Sequence, residues 1–153
     1  YEEPCPFDDL MSTKAVADAM TIPRDFGEQE TSMTRFCWRV KHHGCDVVQP
    51  DILYNGGLIR TTKVARMAEA ANMTVTPHVS TGFCFVYILH LSSYTPNIGR
   101  YQEMKEGLDM TNDFLEGQIV LKNGVMNIPD SVGVGIKEDH PLIKEAVVLG
   151  AVH

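Results

Sequence analysis

Apolar positions recur at helical spacing in three places along this chain, and each time a short strand-like run follows. Residues 8 to 20 set Thr13, Val16, Ala17 and Met20 on one helix face, with Asp8 and Asp9 as capping residues after Pro6. Thr21 to Gly27 reads as a short strand with Arg24 and Asp25 as its polar members. Met33, Phe36, Cys37 and Val40 repeat the helical spacing behind Thr31 or Ser32 as cap, and that helix stops near Gly44. Cys45 to Pro50 reads as a second strand. Gly56-Gly57 separates it from a third helix whose buried stripe is Val64, Met67, Ala68 and Ala71. Met73 to Val79 is a strand again. Phe83 to Tyr94 is apolar nearly all round, so periodicity does not decide it, and the alternation of elements favours a buried helix there. Ile98 to Gln102 ends the series as a last short strand.

Strand and helix in regular succession predict an α/β class with parallel β/α architecture. After Glu103 the character changes: Gln118 to Val125 and the Gly-rich Val132 to Ile136 read as a hairpin and loop. Gly133 and Gly135 lack the strand-turn-helix setting of a nucleotide loop and read as a tight turn.

Composition narrows the picture. The 153 residues are 44 % apolar and 22 % charged, a globular balance with room for one ordinary core. Thirteen Lys and Arg against 20 Asp and Glu give a net charge of −7, which argues against a nucleic-acid partner. The longest apolar run, Phe83 to Leu89, is far below the roughly 20 residues of a membrane helix, so no membrane partner is expected. Cys5, Cys37, Cys45 and Cys84 form no C-x-x-C pair, which favours a reducing, cytoplasmic setting over zinc or disulfides. No signal-peptide pattern opens the chain, and the start at Tyr-Glu-Glu-Pro reads as the middle of something longer.

Polar residues able to do chemistry stand where the strands end: Glu2, Glu28, Asp51, His78 and Glu103, at steps of 23 to 27 residues. These are compact versions of the roughly 31-residue unit of a β/α barrel, in which strand ends converge on one mouth. Glu2 and Glu28 would give two hard oxygen donors from neighbouring strands, suited to Mg²⁺ with water completing its shell. Asp51 and His78 come from adjacent units, and a carboxylate on one imidazole nitrogen makes the other a better base. Glu103 could face the substrate from the opposite side, donating a hydrogen bond if protonated.

Glu2-Glu3-Pro4, Gly27-Glu28, Gln49-Pro50-Asp51 followed by Gly56-Gly57, Thr76-Pro77-His78 and Tyr101-Gln102-Glu103 stand in an order and spacing that resembles the enolase superfamily. The likeness is greatest to its mandelate racemase/muconate lactonizing enzyme family, and Val132-Gly133-Val134-Gly135-Ile136 resembles that family's closing segment. The resemblance implies the C-terminal portion of a modified TIM-type β/α barrel. Residues 1–104 would be its second half, and 105–153 a segment associated with the barrel end and an α+β capping domain. It implies a Mg²⁺-dependent lyase with Glu2 and Glu28 as metal ligands and Asp51 with His78 as the dyad that moves the proton α to a carboxylate. Glu103 would hydrogen-bond that carboxylate and help stabilise the enediolate. The outcome favoured is an acid-sugar dehydratase giving a 2-keto-3-deoxy sugar acid, with a racemase or epimerase as the alternative. The partner would be a small sugar-acid carboxylate, and the complete form a homo-oligomer.

The family's third metal ligand and its Lys-x-Lys motif would lie upstream, so the chain alone is expected to be incomplete, even a non-catalytic piece. Each residue also has a plainer reading: Glu2 as a solvated carboxylate, Asp51 as a helix cap before Gly56-Gly57, His78 as a satisfied strand-end histidine. Strand alternation points Glu2 and Glu3 to opposite faces. Glu30 reads as a loop carboxylate, with a substrate contact as its alternative, His42-His43 as a solvated turn and His90 as a packed histidine. His140 and His153 carry no signal. Cys84, between Phe83 and Phe85, looks inert, and Cys37 shares the buried stripe of its helix.

Overall fold

The alternation of helix and strand is the arrangement of the first of two compact units, Tyr1–Glu106 and Gly107–His153. The computed structural model describes residues 1–79, 84–105 and 112–147. In the first unit α1 (Leu10–Ala19) leads to β1 (Asp25–Phe26), α2 (Met33–Lys41), β2 (Val47–Val48), α3 (Leu58–Ala70), β3 (Thr74–Val75) and α4 (Cys84–Tyr94). The strands are parallel in the order β1-β2-β3. Isolated parallel bridges place Glu2 beside Asp25 and Ile98 beside Val75, so five extended segments lie side by side in chain order.

The strands are shorter than their sequence runs because proline interrupts the ladder. Gln49 N donates to Phe26 O, Thr76 N to Val48 O and His78 N to Pro50 O, so the chains stay paired beyond the two-residue strands. Pro50 and Pro77 have no N–H to give between those bonds. The run expected over Ile98 to Gln102 pairs only around Ile98, through Val75 N to Asn97 O and Gly99 N to Val75 O.

Register sorts the side chains. Phe26, Val48 and Val75 are aligned across the sheet and buried, and they meet Phe36, Val40, Val64, Ala65 and Ala68 from α2 and α3 in one core. Burying side chains of this kind is worth roughly 1.5–3 kcal/mol each. Asp25, Val47 and Thr74 share the opposite face. The helices begin where the sequence signals them: Asp9 accepts from Ser12 N at 2.9 Å, and Ser32 accepts from Arg35 N at 3.4 Å. In α4, Cys84, Phe85, Val86, Ile88, Leu89 and Leu91 are buried, as an apolar segment without a polar face requires. Phe83, read as its first residue, lies outside the described residues. No helix among the described residues is long and apolar enough to cross a membrane.

The second unit has a hairpin, β4 (Leu121–Lys122) and β5 (Val125–Met126), closed by Asn123 and Gly124. Both turn residues take positive φ, 53° and 76°, the geometry that selects Asn-Gly in a two-residue hairpin loop. Leu115 pairs antiparallel with Ile136, next to Gly135 at φ 75°, and a short α5 (Pro141–Lys144) follows. His140 packs on the Phe114 ring at 4.1 Å between centroids, and its Nε2 lies 3.1 Å from Asp113 Oδ2. His153 lies outside the described residues.

Candidate active site

Residues at successive strand ends reach one place by different local devices. Glu2 is carried by its bridge to Asp25, and Asp51 and His78 are bridged to each other at the ends of the third and fourth extended segments, past β2 and β3. Glu28 needs a break in the alternation. Continued as a strand from Phe26, it would point with Phe26 towards the helices. Gly27, at φ 131°, reverses that direction. A Cβ on Gly27 would stand 2.8 Å from Cε1 of Phe36 and 3.3 Å from Gln49 O, so glycine also lets the chain pass close to α2.

One potential donor atom from each of Glu2, Glu28 and His78 lies within 4.8 Å of the others. His78 Nδ1 is 3.1 Å from Glu28 Oε2 and 2.8 Å from Glu103 Oε2, both off the ring N–H axis. Glu103 Oε2 also accepts from Val79 N at 2.8 Å, which fixes the carboxylate beside the imidazole. On the other edge of the ring, Lys105 Nζ is 3.1 Å from His78 Nε2. An ammonium only donates, so Nε2 carries the lone pair and Nδ1 the proton that faces the two carboxylates. His78, Glu28 and Lys105 line an open cavity of about 730 Å³ whose walls include Phe7, Leu53 and Tyr54.

Asp51 is fully buried, and its Oδ1 accepts from Leu53 N at 2.7 Å and Tyr54 N at 2.9 Å. It therefore organises the loop that brings Leu53 and Tyr54 to the cavity while standing next to His78 in register. Acid crowds the mouth further. Burial pushes the Asp25 carboxyl above its ordinary value, and the Glu2 and Glu103 charges push the same way. Asp25 Oδ1 is buried without a hydrogen-bond partner among the described residues. Glu3 does not alternate as a strand residue would: at φ 34° its Oε1 accepts from Gly27 N at 3.3 Å. Burial raises its carboxyl too, and the Glu28 and Glu2 charges add to the rise against the Gly27 hydrogen bond and Arg39.

Glu2 and Glu28 are hard, anionic oxygen donors, the type Mg²⁺ takes while keeping several waters. The imidazole is a softer donor, better fitted to proton transfer beside such an ion than to binding it. The donor set thus fits Mg²⁺ held by the two carboxylates.

With that geometry in hand, comparison with known proteins is decisive: residues 1–141 match the enolase C-terminal domain-like family. The chain belongs to that family. It is 25 % identical over 138 residues to an arabinonate dehydratase of Saccharolobus solfataricus, covering 88 % of this chain and 36 % of the relative. An L-talarate dehydratase from Polaromonas sp. JS666, solved with Mg and L-glucarate, superposes with a TM-score of 0.76 at 26 % identity, over 94 % of this chain and 38 % of that one. A structure from Roseobacter denitrificans described as a candidate racemase is 35 % identical with a TM-score of 0.79, over 89 % and 39 %. The chain spans little more than a third of the length of these relatives.

Within this enolase-like domain three features escape the sequence reading. Lys105 lies two residues past Glu103, a spacing that alternation could have flagged. Glu30, read as a loop carboxylate, is fully buried and ion-paired to Arg35 and Arg39, whose i, i+4 spacing on α2 was the available signal. Cys37 is exposed, because the buried face of α2 runs through Phe36, Arg39 and Val40 instead.

Proposed function

We propose that this chain supplies the C-terminal part of the β/α barrel of a Mg²⁺-dependent acid-sugar dehydratase. The gathering of Glu2, Glu28 and Glu103 about the His78 imidazole, beside a cavity that Glu28 and His78 line, carries the reading. The dehydratases among its relatives support the reaction class, and five extended segments in unreversed chain order suit an arc of a barrel. Glu2 and Glu28 would hold the ion, which would supply positive charge to stabilise the enediolate. Glu103 faces that carboxylate and keeps the imidazole in place. His78, with Asp51 as its partner in the dyad, takes the α-proton at Nε2 to leave an enediolate. The proton that His78 has taken then passes to the hydroxyl on the next carbon, which departs as water, and the enol so formed tautomerises to the 2-keto-3-deoxy acid.

In the full-length protein with Mg²⁺, a panel of aldonic and aldaric acids should yield a product that reacts with semicarbazide. His78→Asn should lower turnover by about 10²–10⁴-fold, the usual contribution of a general base, with Mg²⁺ affinity nearly unchanged. Loss of Mg²⁺ binding in that variant would reverse the assignment of ligand and base. Exchange of the α-proton in D₂O with no keto product would select the racemase or epimerase reading, which the Roseobacter denitrificans structure favours. A sugar-acid partner, a homo-oligomeric complete form and a cytoplasmic setting belong to the same proposal, the last supported by four free thiols.

A further inference from the structure

The charge around the cavity is one-sided. Glu28 lines it, Glu2 and Glu103 stand beside Glu28 and His78, and the Glu2 and Glu103 charges act on Asp25. Among the described residues that line it, Lys105 is the one lysine or arginine. The arginines nearby are engaged: Arg35 and Arg39 with Glu30, and Arg60 with the carbonyls of Asn55 and Thr31. Lys105 Nζ sits 3.1 Å from His78 Nε2, the lone pair that must receive the α-proton. A substrate carbon cannot deliver a proton there while the ammonium occupies it, so Lys105 has to yield when substrate enters. Its stem is rooted two residues past Glu103, which keeps the displaced Nζ at the same mouth, next to whatever atoms follow the α carbon.

We propose that Lys105 is a specificity-determining residue that contacts substrate. Displaced from Nε2, its ammonium donates to an oxygen on the carbon chain beyond the α carbon, and so selects polyhydroxylated acids over short ones. This rests on the dehydratase reading and names the part of the substrate that the cavity recognises. A charge-assisted hydrogen bond in such a place discriminates by about 10–100-fold.

The test compares Lys105→Met and Lys105→Arg in the full-length protein with Mg²⁺. Five- and six-carbon aldonic and aldaric acids are the substrates, with lactate as the short-chain control. Lys105→Met should raise KM and the calorimetric Kd for the preferred acid by about 10–100-fold. It should leave kcat within a few-fold and lactate binding unchanged, and Lys105→Arg should restore most of the affinity. A fall in kcat at constant KM would overturn the proposal, because Lys105 would then act on His78 and not on the substrate. Unchanged affinities in Lys105→Met, with a wild type that turns over acid sugars, would overturn it as well, leaving the dehydratase reading standing. Binding that depends on Lys105 without any turnover would sink the dehydratase reading and keep the role of Lys105. A wild type that binds none of the acids would end both.

Discussion

Glu28 and Glu30 are separated by a single residue, yet they belong to opposite electrostatic regimes. Glu30 is fully buried and accepts from Ser32 N at 2.7 Å, Arg35 Nε at 2.8 Å and Arg39 Nη1 at 2.6 Å. Burial alone would push its carboxyl up, but these donors outweigh it and hold the group below its ordinary value. Arg39 is equally buried and donates its other Nη to Phe7 O, so one guanidinium ties the loop carrying Glu28 to the segment that follows Glu2. Glu28 faces Glu2, His78 and, around the imidazole, Glu103. The acids beside that mouth, Asp25 and Glu3, are pushed up where Glu30 is held down. Acid is neutralised around Glu30, where it is architecture, and left concentrated around Glu2 and Glu28, where the proposed cation would be held. The knot around Glu30 makes that concentration possible, because it anchors both loops against repulsion.

Breaking the knot should therefore have the largest effect on stability. Arg39→Met removes one partner of a buried ion pair and leaves the Glu30 charge undersatisfied, which costs about 3–5 kcal/mol. Urea unfolding of the full-length variant would show this as a lowered midpoint at unchanged slope. Glu2→Gln, measured the same way without metal, should lose nothing, since it removes a charge from a repulsive group. A loss below about 1 kcal/mol for Arg39→Met would put the knot among ordinary surface pairs and dissolve the contrast.

The contrast also marks how far the sequence could be read. The helices were legible because Phe36, Val40, Val64 and Ala68 repeat at helical spacing, and the structure buries those side chains. The gathering of Glu2, Glu28, His78 and Glu103 was legible as a set of strand-end positions, since β/α repetition makes spacing a proxy for direction. Strand length was not, because Pro50 and Pro77 interrupt hydrogen bonding without changing the apolar pattern. Glu30 was read incompletely because the carboxylate itself carries no sign of its burial; the sign lay in Arg35 and Arg39, four residues apart on the next helix. Glu3 escaped because alternation assumes strand geometry, and its φ of 34° departs from it. In the second unit the Asn-Gly turn was less visible than its consequence, a hairpin.

Gly27 sits between the two regimes and offers a subtler break. Gly27→Ala would place a methyl 2.8 Å from the Phe36 ring at a φ that suits no side chain. Strain of this kind costs on the order of 1–3 kcal/mol. The informative readout is metal affinity, because Glu28 follows directly and owes its direction to that φ. Calorimetry should show weaker Mg²⁺ binding in the variant, beyond what Arg39→Met produces in its surviving folded fraction. Equal Mg²⁺ affinity in Gly27→Ala and wild type would mean that Glu28 reaches the site without help from Gly27.

The smallest effect should be the cleanest in sign. The Asp25 carboxyl lies above its ordinary value of 3.8 in the folded chain, chiefly through burial and then through the Glu2 charge. The folded state therefore holds that proton more tightly than the unfolded state, and stability falls as pH rises through the folded value. Glu30 runs the other way: its contribution is complete above its ordinary value of 4.5 and is lost as pH falls through the lowered one. Asp25→Asn removes only the first slope. Without metal, the variant should be more stable than wild type at neutral pH, and the advantage should shrink to nothing as pH falls below the ordinary aspartate range. Added Mg²⁺ should stabilise wild type more than the variant, since only wild type relieves the Asp25 charge against a cation. Should Asp25→Asn be the less stable protein at neutral pH without metal, the carboxylate would be a partnered group, and the mouth would resemble the Glu30 knot after all.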